Sequence, residues 1–169
     1  HALSQAIHYT SQRTAFQKRL IDQPLMQNIL ADLAIEVEAS VHLSMRLARS
    51  LDESATSEEA KLLSRIGTPM AKYWVCKRST SVVAEALECL GGNGYIEDHT
   101  LARLYRDAPV NSIWEGTSNM VCLDVLRAME KIDGAQEVLL NEIEASRGTD
   151  RHLDIYVEEL KTILAKNQG

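Results

Sequence analysis

Aromatic residues are scarce in this chain. It holds one Phe, two Trp and five Tyr among 169 residues, 5% against a hydrophobic content of 45%. A core drawn mainly from alanine and leucine suits closely packed helices rather than a β-sandwich, whose interior leans on aromatic and β-branched side chains. Three prolines and eight glycines leave little material for long linkers. No apolar run approaches the twenty or so residues a membrane-spanning helix needs, and no signal-peptide pattern is read near the start. Cys76, Cys89 and Cys122 form an odd count without paired spacing. They read as reduced thiols of a soluble, cytoplasmic protein (mitochondrial or peroxisomal in a eukaryote). Positive charge is also short, 18 Lys and Arg against 24 Asp and Glu, for a net charge of −6. Such a surface repels phosphate backbones and makes nucleic acid a poor partner. The five histidines (His1, His8, His42, His99, His152) are scattered without ligand spacing, so no metal site is expected. No Ser-His-Asp or Cys-His pattern can be assembled.

What the chain does have is helical periodicity. A first apolar stripe over 2–14 carries Leu3, Ala6, Ile7 and Thr10. It begins in mid-pattern, without a capping residue, as a piece of something longer would. Pro24 opens a second helix to about residue 51, through Met26, Ile29, Leu30, Leu33, Val37 and Val41. Thr56 and Glu59 have capping-box spacing and start a third helix that runs to Leu90, with a kink expected at Pro69. Gly91-Gly92 stops it. A short helix over 100–105 follows. Thr117 or Ser118 caps a fourth long helix, and 136–145 and 154–165 read as two more. The expectation is an all-α four-helix up-and-down bundle over residues 1–130, with a helical C-terminal extension over 131–169.

Two glycine-bearing breaks interrupt the helices, Glu88-Cys89-Leu90-Gly91-Gly92-Asn93-Gly94-Tyr95 and Asn111-Ser112-Ile113-Trp114-Glu115-Gly116-Thr117-Ser118-Asn119-Met120. The first resembles a nucleotide loop in glycine content only. A dinucleotide fingerprint needs a strand before it and a helix opening within it, whereas here a helix closes. A helix stop with an Asn-Gly turn explains it, though such a turn still bares backbone N–H groups to a phosphate. In the second break, Glu115 stands as a solvated loop acid or as a base. Trp114 is positioned to shield it, Gly116 admits a ligand to the backbone, and the following helix N-terminus favours anions. A carboxylate partly stripped of water makes the better base near neutral pH.

Three blocks, in order, resemble the C-terminal domain of the acyl-CoA dehydrogenases. They are Arg13-Thr14-Ala15-Phe16, Leu90-Gly91-Gly92-Asn93-Gly94-Tyr95, and Arg106-Asp107-Ala108 through Trp114-Glu115-Gly116-Thr117-Ser118. The stretches 72–78 and 109–116 are similar in particular to the alkylation-response, AidB-like branch. The resemblance implies a flavoprotein that oxidises an acyl-CoA thioester to its 2,3-enoyl form. Glu115 matches the general base that takes the α-proton while a hydride passes to FAD, and its backbone N–H matches a donor to the thioester oxygen. Arg13, Phe16, Glu88, Gly91 and Gly92 match contacts to FAD from a neighbouring subunit. Thr117 and Asn119 match FAD contacts from the subunit that holds the base, and Gly116 a substrate contact. Sharing of this kind implies a homodimer or homotetramer, with acyl-CoA and an unspecified electron acceptor as partners. Three positions depart from the family pattern: Glu88 stands where Gln is usual, Gln17 replaces the glycine after Phe16, and Asn119 replaces a common Gln. The family's N-terminal helical domain and small β-domain have no counterpart in these residues, so the chain by itself is expected to be inactive and to hold FAD weakly.

Two rivals follow from the same residues. One is a DNA-associated protective protein, linked to the branch. From residue 130 onward, however, Lys131, Arg147, Arg151, Lys161 and Lys166 face nine acids, which opposes it. The other is a helical assembly module in which Glu115 is incidental.

Overall fold

The computed structural model describes residues 1–166, so positions 167–169 of the expected extension lie outside the described residues. Among the described residues the chain forms eight α-helices and one two-stranded hairpin. They are α1 (Ala2–Gln12), β1 (Thr14–Ala15), β2 (Lys18–Arg19), α2 (Pro24–Glu53), α3 (Glu58–Glu88), α4 (Gly92–Tyr95), α5 (Thr100–Asp107), α6 (Ser118–Lys131), α7 (Ala135–Glu144) and α8 (Arg151–Lys166). Helices α1, α2, α3 and α6 make the up-and-down bundle. No helix among the described residues is long and apolar enough to cross a membrane.

Helix α3 is the spine. Ser57 caps it, accepting a 3.1 Å hydrogen bond from the Ala60 N–H. The expected cap, Thr56, instead donates its hydroxyl back to the Glu53 carbonyl. Ser57 wins because its backbone is extended, φ −131° and ψ 117°, as a capping residue requires. The helix continues unbroken past Pro69, whose missing N–H leaves the Arg65 carbonyl without its helical donor.

Two apolar clusters sit along this spine. Near its C-terminal end, Ala2 and Ala6 of α1, Leu30 and Leu33 of α2 and Leu101 of α5 close around Ala86, Cys89 and Leu90. Alanines at the crossing let α1 lie close on α3, where Ala6 and Ala86 are fully buried. Further back, Ile66 packs against Ala135 and Leu139 of α7. The first helix of the extension is thus bound into the same spine. Helix α8 is held differently. Val157 alone is buried along it, and Lys161 and Arg147 form ion pairs with Glu144 and Glu158.

The hairpin is the element the periodicity misses. Thr14 pairs with Arg19 and Ala15 with Lys18, and the two loop residues Phe16 and Gln17 both have positive φ, 53° and 65°. Such loops usually advertise themselves as Asn-Gly, and here neither residue does. The Asn-Gly turn read at 93–94 is instead one turn of helix, α4. Gly94 is required there by contact, since a Cβ would sit 2.2 Å from the Leu87 carbonyl oxygen.

Candidate active site

The second break is a loop that α3 holds in place. After a 3₁₀ turn over Ala108–Ser112, the Trp114 N–H donates to the Val110 carbonyl at 3.1 Å. Glu115 then takes φ 58° and Gly116 φ 116°. Thr117 occupies the cap position of α6 without a side-chain hydrogen bond. Left-handed backbone at a non-glycine residue costs about 1–2 kcal/mol. It is offset from α3, one turn past Pro69. Lys72 Nζ donates to the Trp114 carbonyl at 2.8 Å and to the Gly116 carbonyl at 2.6 Å. Charge-assisted bonds of this kind contribute roughly 1.5–3 kcal/mol each. The two carbonyls flank Glu115, so the residue in the strained conformation is clamped from both sides.

A groove of about 610 Å³ runs beside the loop. Thr68, Pro69 and Lys72 form one wall, Met120 and Val121 the other, and Glu115 and Gly116 border it. Arg65 closes its far end in a two-pronged pair with Asp124, at 2.8 and 2.9 Å, that ties α3 to α6. Arg65 holds the Asp124 carboxyl below the usual carboxylate range. The expected shielding by Trp114 is not found within this chain. Both Glu115 and Trp114 are exposed, the indole at 57%, because the clamped loop turns both side chains outward.

The remaining expected residues lie elsewhere. Glu88 and the Gly91-Gly92 turn sit at the end of α3, sixteen positions beyond Lys72, which is about 24 Å along the helix. Arg13 follows the last turn of α1, and Phe16 projects from the hairpin tip, 92% exposed. A hydrogen bond from Asn93 Nδ2 to the Tyr9 hydroxyl, 3.0 Å, ties the glycine turn to α1 one turn before Arg13. So one chain presents two groups. Glu115, Gly116, Thr117 and Asn119 form one; Arg13, Phe16, Glu88, Gly91 and Gly92 form the other.

Several features of the second group suit a dinucleotide such as FAD. The Arg13 guanidinium has no hydrogen-bonding or ionic partner among the described residues, and the Phe16 ring is bare. A Cβ on Gly91 or Gly92 would meet nothing within 4 Å, leaving an open backbone cradle, and φ 58° at Gly91 favours glycine. Gln17, standing where the family has glycine, keeps the positive φ that glycine serves. Glu88 is exposed and can only accept hydrogen bonds, which suits hydroxyl or amino groups and not a pyrophosphate.

Sequence reasoning missed Lys72 as a site residue, along with Arg65 and Asp124. Lys72 lies 42 positions from the carbonyl it holds, and no local pattern signals a contact of that range. Arg103 and Arg106, one turn apart on α5, take different partners. Arg103 reaches Asp107 at 3.6 Å, and Arg106 pairs with Glu97 at 2.5 Å. Among the described residues no group of three His, Cys, Asp or Glu side chains could hold a metal.

The sequence profile described as "Acyl-CoA dehydrogenase, C-terminal domain" matches residues 1–130. The AidB protein of Escherichia coli is 46% identical over 165 residues, 98% of this chain and 30% of that protein. The structure of Caenorhabditis elegans ACDH-11 in complex with C11-CoA superposes with a TM-score of 0.87 at 30% identity, over 98% of this chain and 30% of that one. Butyryl-CoA dehydrogenase from Megasphaera elsdenii reaches 0.67 at 28% identity, over 77% of this chain and 32% of the other. The chain thus spans about a third or less of the length of these relatives. The first two overlap the extension as well as the bundle.

Proposed function

The chain belongs to the acyl-CoA dehydrogenase family, as its C-terminal domain, and from that premise we propose that it supplies the catalytic base for α,β-dehydrogenation of an acyl-CoA thioester. Glu115 takes the α-proton. The proton is barely acidic until charge developing on the thioester oxygen is stabilised, and the Glu115 main-chain N–H is the donor this chain offers for that purpose. FAD, when bound, supplies the hydride acceptor for the β-carbon. Thr117 and Asn119 hold it beside the base, and Arg13, Phe16, Glu88, Gly91 and Gly92 hold its far half on a neighbouring copy. Gly116 keeps the backbone low where the substrate approaches. The working unit is therefore at least a homodimer, in the cytoplasm of a bacterial source, with acyl-CoA as its small-molecule partner. Residues 131–169 form an extension to this domain.

The observation that carries this proposal is Glu115 itself, the acid of a Trp-Glu-Gly-Thr-Ser run, held in left-handed backbone at the edge of a groove. Loops without a task rarely keep a bulky residue in that conformation. The test is Glu115→Gln in the full-length protein. Flavin reduction by added acyl-CoA should fall by about 10³-fold, within the range for a lost general base, while oligomeric state and cofactor content stay as in the wild type. Unchanged turnover would reduce the bundle to an assembly module.

A further inference from the structure

Lys72 is committed to carbonyl groups. It forms no salt bridge among the described residues, and its two hydrogen bonds both go to the backbone on either side of Glu115. One of those acceptors shares a peptide unit with the Glu115 N–H. No peptide bond among the described residues is cis, so in the Trp114–Glu115 unit the carbonyl and the N–H point in opposite directions. A cation seated on the Trp114 oxygen therefore turns the Glu115 N–H to the other side of the loop, away from α3. It also draws electron density towards the carbonyl oxygen, which makes that N–H a stronger donor. The Glu115 N–H has no acceptor among the described residues, so it is free for a ligand.

We propose that Lys72 is a positioning residue for the dehydrogenation: by holding and polarising the Trp114–Glu115 peptide it sets the hydrogen-bond donor that receives charge on the thioester oxygen. This rests on Glu115 being the base. Its bond to the Gly116 carbonyl fixes the other side of Glu115, so base and donor are oriented by one ammonium group.

The α-proton step can be read without hydride transfer. The probe is 3-thiaoctanoyl-CoA in D2O with the full-length, FAD-loaded protein. Sulfur at the β-position leaves no hydride to give. The α-C–H bond breaks, the proton passes to the Glu115 carboxylate, and the electron pair delocalises onto the thioester oxygen. Glu115 then exchanges its proton with solvent and returns a deuteron to the α-carbon. Deuterium incorporation, followed by mass spectrometry, reports the step. Lys72→Met should slow incorporation at least about tenfold, less than the loss of a direct oxyanion donor because Lys72 acts through another group, with the analogue's Kd changed less than threefold. Lys72→Arg should recover part of the rate. A side chain needed only for folding would lower bound analogue and cofactor together and leave the rate per occupied site unchanged, which would overturn the proposal. If Lys72→Met does not fold, Lys72→Gln keeps a donor without the charge and should still slow exchange at least threefold; equality with wild type overturns the proposal. Absence of exchange in the wild type itself would sink the base assignment, and Lys72's role with it. Exchange that Glu115→Gln abolishes but no Lys72 variant alters would sink only the role of Lys72.

Discussion

Three non-glycine residues have positive φ among the described residues, Phe16, Gln17 and Glu115, and two of them are expected to touch cofactor or substrate. Strain of this kind persists where the surrounding structure enforces it, and it gathers at functional sites. Glu115 has its clamp; the hairpin has only two residue pairs to hold its turn. Gln17→Gly should therefore stabilise the protein by about 0.5–1 kcal/mol, because glycine relieves the left-handed cost and returns part of the gain as unfolded-state entropy. Chemical denaturation would register this as a higher midpoint with an unchanged slope. Phe16→Ala, by contrast, removes a ring that contacts solvent, so stability should change by less than about 0.5 kcal/mol while flavin content after gel filtration of the full-length protein falls. Cys89 makes a separate prediction. Burial, with help from Glu85, pushes its thiol from 9.0 to about 11. Between those values the folded chain keeps a proton that the unfolded chain has released, so stability should decline as pH rises from about 9 to 11. At pH 8 iodoacetamide should label the exposed Cys122 and spare Cys89 until the chain is unfolded, as peptide mapping can show.

At the scale of elements, helices α7 and α8 are held in two ways, α7 by the spine and α8 by α7 and the turn that follows it. Leu139 and Ala135 bury apolar surface against Ile66, whereas α8 depends on charge. Lys161, followed by Arg147, holds the Glu144 carboxyl below its ordinary 4.5. A carboxylate with a lowered folded value stabilises above its unfolded value and loses that contribution as pH falls through the lowered one. Hydrogen exchange in α8, corrected for intrinsic rate, should therefore rise relative to α3 when pH drops from 7 to about 3. It should rise at neutral pH in 1 M salt as well, where screening acts over roughly 3 Å. The long helices were readable because a 3.6-residue stripe such as Leu30, Leu33 and Val37 repeats often enough to outvote local exceptions, including Pro69 inside α3. The hairpin was not readable, because its turn lacks the Asn-Gly chemistry that positive φ usually selects. Glu115, Gly91 and Gly92 stood out by residue type and spacing. Lys72 did not, since its task depends on α3 passing a loop that lies far along the sequence, and periodicity says nothing of which helix faces which loop. The shielding expected of Trp114 failed for a related reason. Adjacency in sequence does not fix the direction in which a clamped loop turns its side chains.

For the whole molecule the decisive dimension is the length of α3. The Glu115 group and the Arg13–Gly91 group stand about 24 Å apart along that helix, so a proposal that both serve FAD has a geometric consequence. A cofactor at Glu115 would meet the Arg13 group of a second copy, and each two-fold dimer would hold two such shared sites. Two damaged full-length proteins can then repair one another. In a mixed dimer of Glu115→Gln with an Arg13→Ala, Phe16→Ala double variant, one site combines both lesions. The other site combines the intact Glu115 of the second protein with the intact Arg13 and Phe16 of the first. Random pairing of equal amounts makes half of all dimers mixed, so about one quarter of the sites should be whole, the value expected for a symmetric pair. Co-expression should accordingly restore about a quarter of wild-type acyl-CoA-dependent flavin reduction, although each variant alone gives almost none. Were both groups to act on one cofactor within a single chain, every site in the mixture would still carry a lesion, and co-expression would restore nothing. Activity measured on tagged, purified mixed dimers separates the two outcomes.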